Sequence, residues 1–516
     1  MAPSLQRRCH AENPVNGLDL ALAAQDLPGP SPSAQLFRAS PNAVAPPQFL
    51  YASAMRHLAL AGLLLALSSG AAFSQTGPND VRARDVFKQL IEINTTDTPK
   101  GNVTTAAEAM AARFKAAGFP EADVRVLGPD PKKGNLVVRY RGTGSAKPLL
   151  LLAHIDVVEA KREDWSFDPF TFLEKDGFFY GRGTSDDKSM AAQFVANLIR
   201  LKEEGLKPGR DLILALTADE ESGDFNGVDW LVKNHRALID AEYAINEGGG
   251  GTMRHGKYLA NEIQASEKVY QDFKLVATNQ GGHSSLPTKD NATYHLAAGL
   301  SRLAAFDFPV ELNEITRGYF ERSAAIETDP RVAADMRAVA KTPPDLDAAA
   351  RLSAALPYWN SMMRTTCVAT LLSGGHATNA LPQKADANVN CRILPGASPA
   401  AVKDTLVRVL AEPKVAVTFV GEARPSKPSP LRPDVMSAVE SITKAMFPGV
   451  TVVPVMSTGA TDGLYLRNAD IPTYGIDGTF GDVDDVRAHG RDERIGVKQF
   501  YDGLEFQYRL IKALSK

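Results

Sequence analysis

Residues 149–156 read Leu-Leu-Leu-Leu-Ala-His-Ile-Asp, and residues 212–221 read Leu-Ile-Leu-Ala-Leu-Thr-Ala-Asp-Glu-Glu. Each opens with an unbroken apolar run, as expected of a strand covered on both faces. Each ends in side chains able to bind a cation. In open α/β sheets, the carboxyl ends of parallel strands are where active sites lie. Working outward, Thr104 to Ala117, Lys188 to Glu204 and Val228 to His235 carry helical periodicity, while Asn135 to Tyr140 and Ala241 to Asn246 read as further strands. The alternation predicts an α/β fold, a doubly wound, mainly parallel sheet with helices on both faces.

Near residue 267 the pattern changes. Val269 to Thr278 alternates like a half-exposed strand, Thr293 to Ala305 is helical, and Val368 to Leu372 and Asp386 to Leu394 read as strands. A helix over Pro399 to Leu410 and a strand over Val415 to Val420 complete a strand-helix-strand-strand-helix-strand order, which is ferredoxin-like. Phe308 to Ala355, charged and Ala-rich, reads as a helical excursion within it. The expected organisation is therefore a catalytic domain over 80–266 and 424–516, interrupted by an inserted α+β lid or dimerisation domain over 267–423.

A chain of 516 residues exceeds one ordinary core. The net charge of -3 gives no reason to expect nucleic acid or an anionic membrane as partner. Three cysteines (Cys9, Cys367 and Cys391) are too few for a disulfide-dense scaffold or a thiolate metal site. Residues 1–54 read as a non-native extension ahead of a start at Met55. Met55-Arg56-His57, the apolar run Leu58 to Leu67 and the small residues up to Ser74 have the parts of a secretory signal peptide. The run is short for a permanent anchor, so a secreted or periplasmic protein is expected, in which a Cys367–Cys391 disulfide is permitted.

The candidate chemistry lies in five segments. They are His154-Ile-Asp156, Asp186 within Gly-Arg-Gly-Thr-Ser-Asp-Asp-Lys, Glu220-Glu221, Glu247 ahead of four glycines, and His489 within Ala-His-Gly-Arg-Asp-Glu. Two imidazoles and several carboxylates suit zinc and tolerate manganese or cobalt. Asp156 is placed to orient the His154 ring. Adjacent residues at a strand end point apart, so one glutamate of the 220–221 pair can bind metal while the other serves as base. Taken singly, each segment reads equally well as a turn, a helix cap or a solvated acidic loop. Together they describe a two-metal hydrolase site.

These motifs resemble the two-zinc amidohydrolase family that contains carboxypeptidase G, carboxypeptidase S, succinyl-diaminopimelate desuccinylase, acetylornithine deacetylase and aminoacylase. The resemblance spans about 80–516. It implies that His154, Asp186, Glu221, Glu247 and His489 hold two Zn²⁺ per subunit, Asp186 bridging, and that Asp156 and Glu220 are the catalytic acids, Glu220 being the general base. Gly281-Gly-His-Ser-Ser-Leu-Pro is similar to the family's lid motif, which makes His283 an oxyanion-stabilising group. Asn379 and Arg392 resemble carboxylate-gripping residues, and Gly459 and Thr461 fall in a Gly-rich substrate loop, Ser457-Thr-Gly-Ala-Thr-Asp-Gly. Two departures stand out: Glu159 occupies a position where many members have proline, and the helical excursion is longer than in compact members.

The resulting expectation is an exported zinc-dependent carboxypeptidase acting on short peptides with a free C-terminal carboxylate. An N-acyl-amino-acid deacylase is the alternative, because the same machinery serves both. A homodimer through the lid is a further expectation. A non-catalytic metal-binding protein would have lost its base, and Glu220 is present.

Overall fold

The computed structural model describes residues 77–516. The expected extension over 1–54 and the signal segment over 55–74 lie outside the described residues.

The main sheet runs in the order Val124–Leu127, Asn135–Tyr140, Arg210–Thr217, Ala146–His154, Tyr243–Asn246, Thr473–Gly475, Lys257–Glu267, Gly250–Arg254 and Phe480–Asp482, with Thr451–Ser457 also pairing Lys257–Glu267. Its centre is parallel: Ala146–His154 pairs in parallel with both Arg210–Thr217 and Tyr243–Asn246, and the latter with Thr473–Gly475. The apolar runs are strands for the expected reason. Leu149 to Leu152 are at most 1% exposed, because helices cover both faces. Full burial of each such side chain contributes about 1.5–3 kcal/mol. His154 lies directly level with Thr217, so the two strands deliver their polar ends to one edge of the sheet.

One face carries helices Pro78–Glu92, Val103–Ala116, Lys188–Glu203, Pro433–Met446 and Val497–Leu514, whose apolar residues form the largest core. Helix Lys188–Glu203 is buried along nearly its whole length, and its polar stripe is spent inside, Gln193 and Asn197 donating to the Phe500 and Leu504 carbonyls at 3.1 and 2.8 Å. Gly227–Asn234 and Gly463–Asn468 cover the other side over Leu150, Leu152 and Ile213.

The inserted part has the ferredoxin-like arrangement. Its antiparallel sheet runs Thr366–Gly374, Lys384–Ile393, Val269–Thr278, Val415–Val420, backed by helices Ala292–Ala304 and Pro399–Leu410. Val269–Thr278 alternates as read, with Phe273, Leu275 and Ala277 fully buried in a separate core. Cys367 stands opposite Cys391 in the ladder, and the two are disulfide-bonded.

The helical excursion comprises Glu314–Ser323, Pro330–Val339, Leu346–Ala355 and Pro357–Met363. Its core does not join the ferredoxin-like layer. Phe320, Met336, Leu352 and Met363 pack with Ala260, Val453, Val455 and Met456 of the main sheet. The Arg322 guanidinium donates to the Val452 carbonyl at 2.9 Å, and it pairs with Glu440 at 2.7 Å. The chain therefore passes between the two layers four times. Lys268 stitches the passage: its buried Nζ donates to the Arg364 carbonyl at 2.7 Å and to the Ser361 hydroxyl at 3.0 Å.

Candidate active site

Immediately after Thr217 the backbone turns left-handed at Asp219, with φ 57°. Asp219 tolerates this because its side chain is tied down: Lys133 donates to it at 2.6 Å, and also to Asp97. The turn aims the Glu220 and Glu221 N–H groups at the Asp156 carboxylate, which accepts them at 3.2 and 3.0 Å. His154 Nδ1 lies 3.1 Å from the Asp156 main-chain carbonyl and 3.6 Å from its Oδ1, so this residue positions the imidazole through its backbone and the Glu-Glu turn through its carboxylate.

Asp186 sits between two imidazoles. Its Oδ1 is 2.9 Å from His154 Nε2 and its Oδ2 is 3.0 Å from His489 Nε2. Glu247 Oε2 lies 3.9 Å from His154 Nε2, and Glu221 Oε1 lies 2.8 Å from His489 Nε2. The residues thus fall into two ligand trios that share Asp186, His154–Asp186–Glu247 and Asp186–Glu221–His489, with donor atoms in each trio within 4.8 Å of one another. All five residues proposed as ligands from the sequence are brought together, with Asp186 in the shared position.

The loop that carries Asp186 is held from the far end of the chain. Glu493 accepts the N–H groups of Gly183, Ser185 and Asp186 at 3.2, 2.7 and 3.2 Å, and pairs with Arg182 at 2.6 Å. Both charges are buried. Sequence reading does not single out Glu493 although it stands four residues after His489, because a charged stretch does not reveal a partner 311 positions away. Asp462 was missed as well. It accepts from Asn226 Nδ2 at 2.6 Å, and Asn226 in turn donates to the Asp219 carbonyl, so Asp462 braces the Glu220 loop from behind. Its place in the quoted 457–463 segment was the available signal.

The electrostatics call for added positive charge. Burial pushes the Glu247 carboxyl well up, with the Asp186 charge adding to it. Burial likewise raises Glu220 to about 9, His154 opposing and the carboxylates of Asp462, Asp156 and Glu221 reinforcing it. Hydrogen bonds to Asp186 and Glu221 drive the His489 imidazole up to about 10. Like carboxylates this close need cations to remain ionised together. The donor set, two imidazoles with three carboxylates, fits a pair of divalent ions.

The other expected site residues lie elsewhere. His283 is exposed on a two-residue strand, Gly282–His283, paired with Ala380–Leu381, and its Nδ1 is 2.7 Å from the Ser285 hydroxyl. Asn379 shares that flap, its carbonyl accepting the Ser284 N–H at 2.9 Å. The Arg392 guanidinium lies over the Tyr270 ring at 4.7 Å. The Gly459 N–H donates to Ser457 Oγ at 3.0 Å. Thr461 is buried and donates its hydroxyl to Glu267 at 2.8 Å, so it anchors the 457–463 loop from inside. Among the described residues, no hydrogen bond or ion pair links His283, Asn379 or Arg392 to the ligand cluster.

A parallel sheet presenting this cluster at its carboxyl edge defines a metal-dependent hydrolase. Residues 150–513 match peptidase family M20/M25/M40, and the chain belongs to that family. It is 29% identical over 406 residues to a probable carboxypeptidase S-like 2 of Dictyostelium discoideum, an alignment covering 74% of this chain and 75% of the relative. It is 28% identical over 375 residues to the human N-fatty-acyl-amino acid synthase/hydrolase PM20D1, covering 71% and 74%. The fold is that of the M20 family metallo-carboxypeptidase Sso-CP2 from Sulfolobus solfataricus, at a TM-score of 0.60 and 18% identity, covering 84% of this chain and 99% of that one.

Proposed function

We propose that this protein is an exported, zinc-loaded exopeptidase of the carboxypeptidase type. It would cleave the amide bond of short peptides that end in a free carboxylate. The observation that carries this reading is Asp186, whose two oxygens each face a different imidazole. When bound, two divalent ions supply Lewis-acid polarisation of the scissile carbonyl and lower the pKa of the attacking water. Glu220 takes the proton from that water and delivers it to the leaving amine. Asp156 keeps the His154 ring and the Glu220 backbone in register. His283, Asn379 and Arg392 contribute oxyanion and carboxylate contacts from the lid.

A second reading, an N-acyl-amino-acid deacylase, is favoured by the similarity to PM20D1. Hydrolysis of a mixed panel of blocked dipeptides and N-acyl amino acids by protein starting near Gln75, with and without zinc, tests both. Metal-dependent release from blocked-N, free-C substrates supports the class and chooses between them; silence across the panel with two ions bound refutes both.

Export to an oxidising compartment is supported by the signal-like segment over 55–74 and by the Cys367–Cys391 bond. No helix among the described residues is long and apolar enough to cross a membrane. A homodimer through the lid is supported by its edge strand Thr366–Gly374, on which Val368, Leu371 and Leu372 are 60–71% exposed. Unpaired apolar edges of this kind invite strand pairing. Sedimentation of the wild type and of a Leu371→Lys, Leu372→Glu variant would read the assembly directly.

A further inference from the structure

The chain leaves the main sheet for the inserted layer at Glu267, the last residue of strand Lys257–Glu267. Its carboxylate is enclosed, and three side chains meet on it. Oε1 faces the Arg467 guanidinium at 2.7 Å, a charge contact out of hydrogen-bond alignment, with both side chains 2% exposed. Oε2 accepts from Gln264 Nε2 at 3.1 Å and from the Thr461 hydroxyl at 2.8 Å. Arg467 in turn donates to the Ser426 hydroxyl at 3.4 Å, just after the chain has come back from the layer. The Lys268 N–H donates to the Ser457 carbonyl at 3.0 Å, so the backbone ties the same two segments.

Gln264 and Thr461 pack against the turn that follows Glu247. Gly248 stands at φ 96°, and a Cβ there would lie 2.2 Å from Gln264 Oε1 and 3.3 Å from the Thr461 methyl carbon. Gly475, level with Asn246 in the neighbouring strand, is bare for the same reason. Its Cβ would lie 2.4 Å from the Glu247 carbonyl oxygen and 2.8 Å from Gln264 Oε1. Two glycines thus make room for one carboxamide directly behind a candidate metal ligand. Packing this close leaves Gln264 little freedom. Its amide N–H donates to Glu267 and, among the described residues, to nothing else.

We propose that Glu267 is a positioning residue of the metal centre. It fixes Gln264 and Thr461 against the Glu247–Gly248 turn and so holds the Glu247 carboxylate where an ion needs it, with Arg467 as its buried counter-ion. The proposal rests on the metal-site reading of the ligand cluster. Groups that orient a ligand from behind contribute to metal affinity. A purely structural ion pair would stabilise the fold and leave affinity to follow stability.

Two variants separate those roles. Protein starting near Gln75 is stripped of metal and titrated with Co²⁺ by calorimetry, beside urea unfolding of the metal-free form. Arg467→Met keeps both hydrogen bonds to Glu267 and leaves its charge without a counter-ion. Glu267→Met with Arg467→Met removes the hydrogen bonds and leaves no charge behind. Breaking a buried pair costs more than replacing both members, so the single variant should be the less stable. Co²⁺ affinity should run the other way, near wild type in Arg467→Met and about tenfold weaker in the double variant. Affinities that rank with the stabilities, or a double variant that binds as the wild type does, overturn the proposal. Thr461→Val removes one of the hydrogen bonds, keeps a methyl against Gly248 and disturbs no charge, so it decides the matter if the other two fail to fold. Its affinity should fall about threefold, half the double variant's loss in free energy. An unchanged affinity there overturns the proposal. A wild type that takes up no Co²⁺ overturns the metal-site reading, and this proposal with it.

Discussion

Glu493 Oε1 accepts the Asp186 N–H at 3.2 Å, joining residues 307 positions apart. The carboxylate shared by the two candidate ligand trios is thereby oriented by an acid that makes no hydrogen bond to any of their side chains. Because the same carboxylate neutralises Arg182, the Asp186 loop, the His489 loop and one buried ion pair are a single unit.

Replacing Glu493 by Gln keeps the shape and removes the charge. Arg182 is then buried without a counter-ion, a loss of about 3–5 kcal/mol in pairs of this kind. Misorientation of Asp186 should also weaken metal binding about 10–100-fold. Urea unfolding and a metal titration check the two effects separately; a variant that matches the wild type in both would show that the loop is held by other means.

Glu220→Gln should leave two ions bound and cut kcat by about 10²–10⁴-fold, the usual worth of a positioned acid–base group. Metal analysis alongside turnover distinguishes this from loss of the site. Full activity in that variant would remove Glu220 from the mechanism.

The Cys367–Cys391 bond closes a loop of 24 residues in the chain. On loop entropy, a Cys367→Ala, Cys391→Ala protein should lose about 3 kcal/mol. Denaturant midpoints read this directly, and the ion content should be unaffected because neither cysteine lies near the ligand cluster in the chain or in its hydrogen bonds.

Lys268 should impose a pH dependence on stability. Burial, with the Arg392 charge adding to it, lowers its ammonium from 10.5 to about 7. Between those values the unfolded chain holds a proton that the folded one has released, so the contribution of Lys268 to stability rises with pH across that window. The stability difference between the wild type and Lys268→Met should therefore grow from pH 7 to about pH 10. A difference that shrinks over the same range would mean that the folded protein keeps Lys268 charged.

Much of this was legible without coordinates. The runs at 149–153 and 212–216 are apolar at every position, as a short strand covered on both faces is, and the candidate ligands follow them closely. The alternation of 269–278 likewise reports a strand with one wet face. Hidden features depend on partners far away in the chain. Glu493 is one acid in a charged stretch until Arg182 meets it. The excursion helices are visibly amphipathic, but periodicity does not say which sheet receives their apolar stripe, and here Val453 and Val455 receive it. The small strands Leu173–Lys175, Phe178–Tyr180 and Arg494–Gly496, which pair with one another, are too short to leave a period.

The four crossings, two of which Lys268 ties together, make the ferredoxin-like layer a discontinuous piece, 269–305 and 364–423, with a stretch belonging to the main body between them. No single excision removes it, and no single pair of protease nicks frees it. Its two halves stand or fall together, because Val269–Thr278 of the first is held between Lys384–Ile393 and Val415–Val420 of the second.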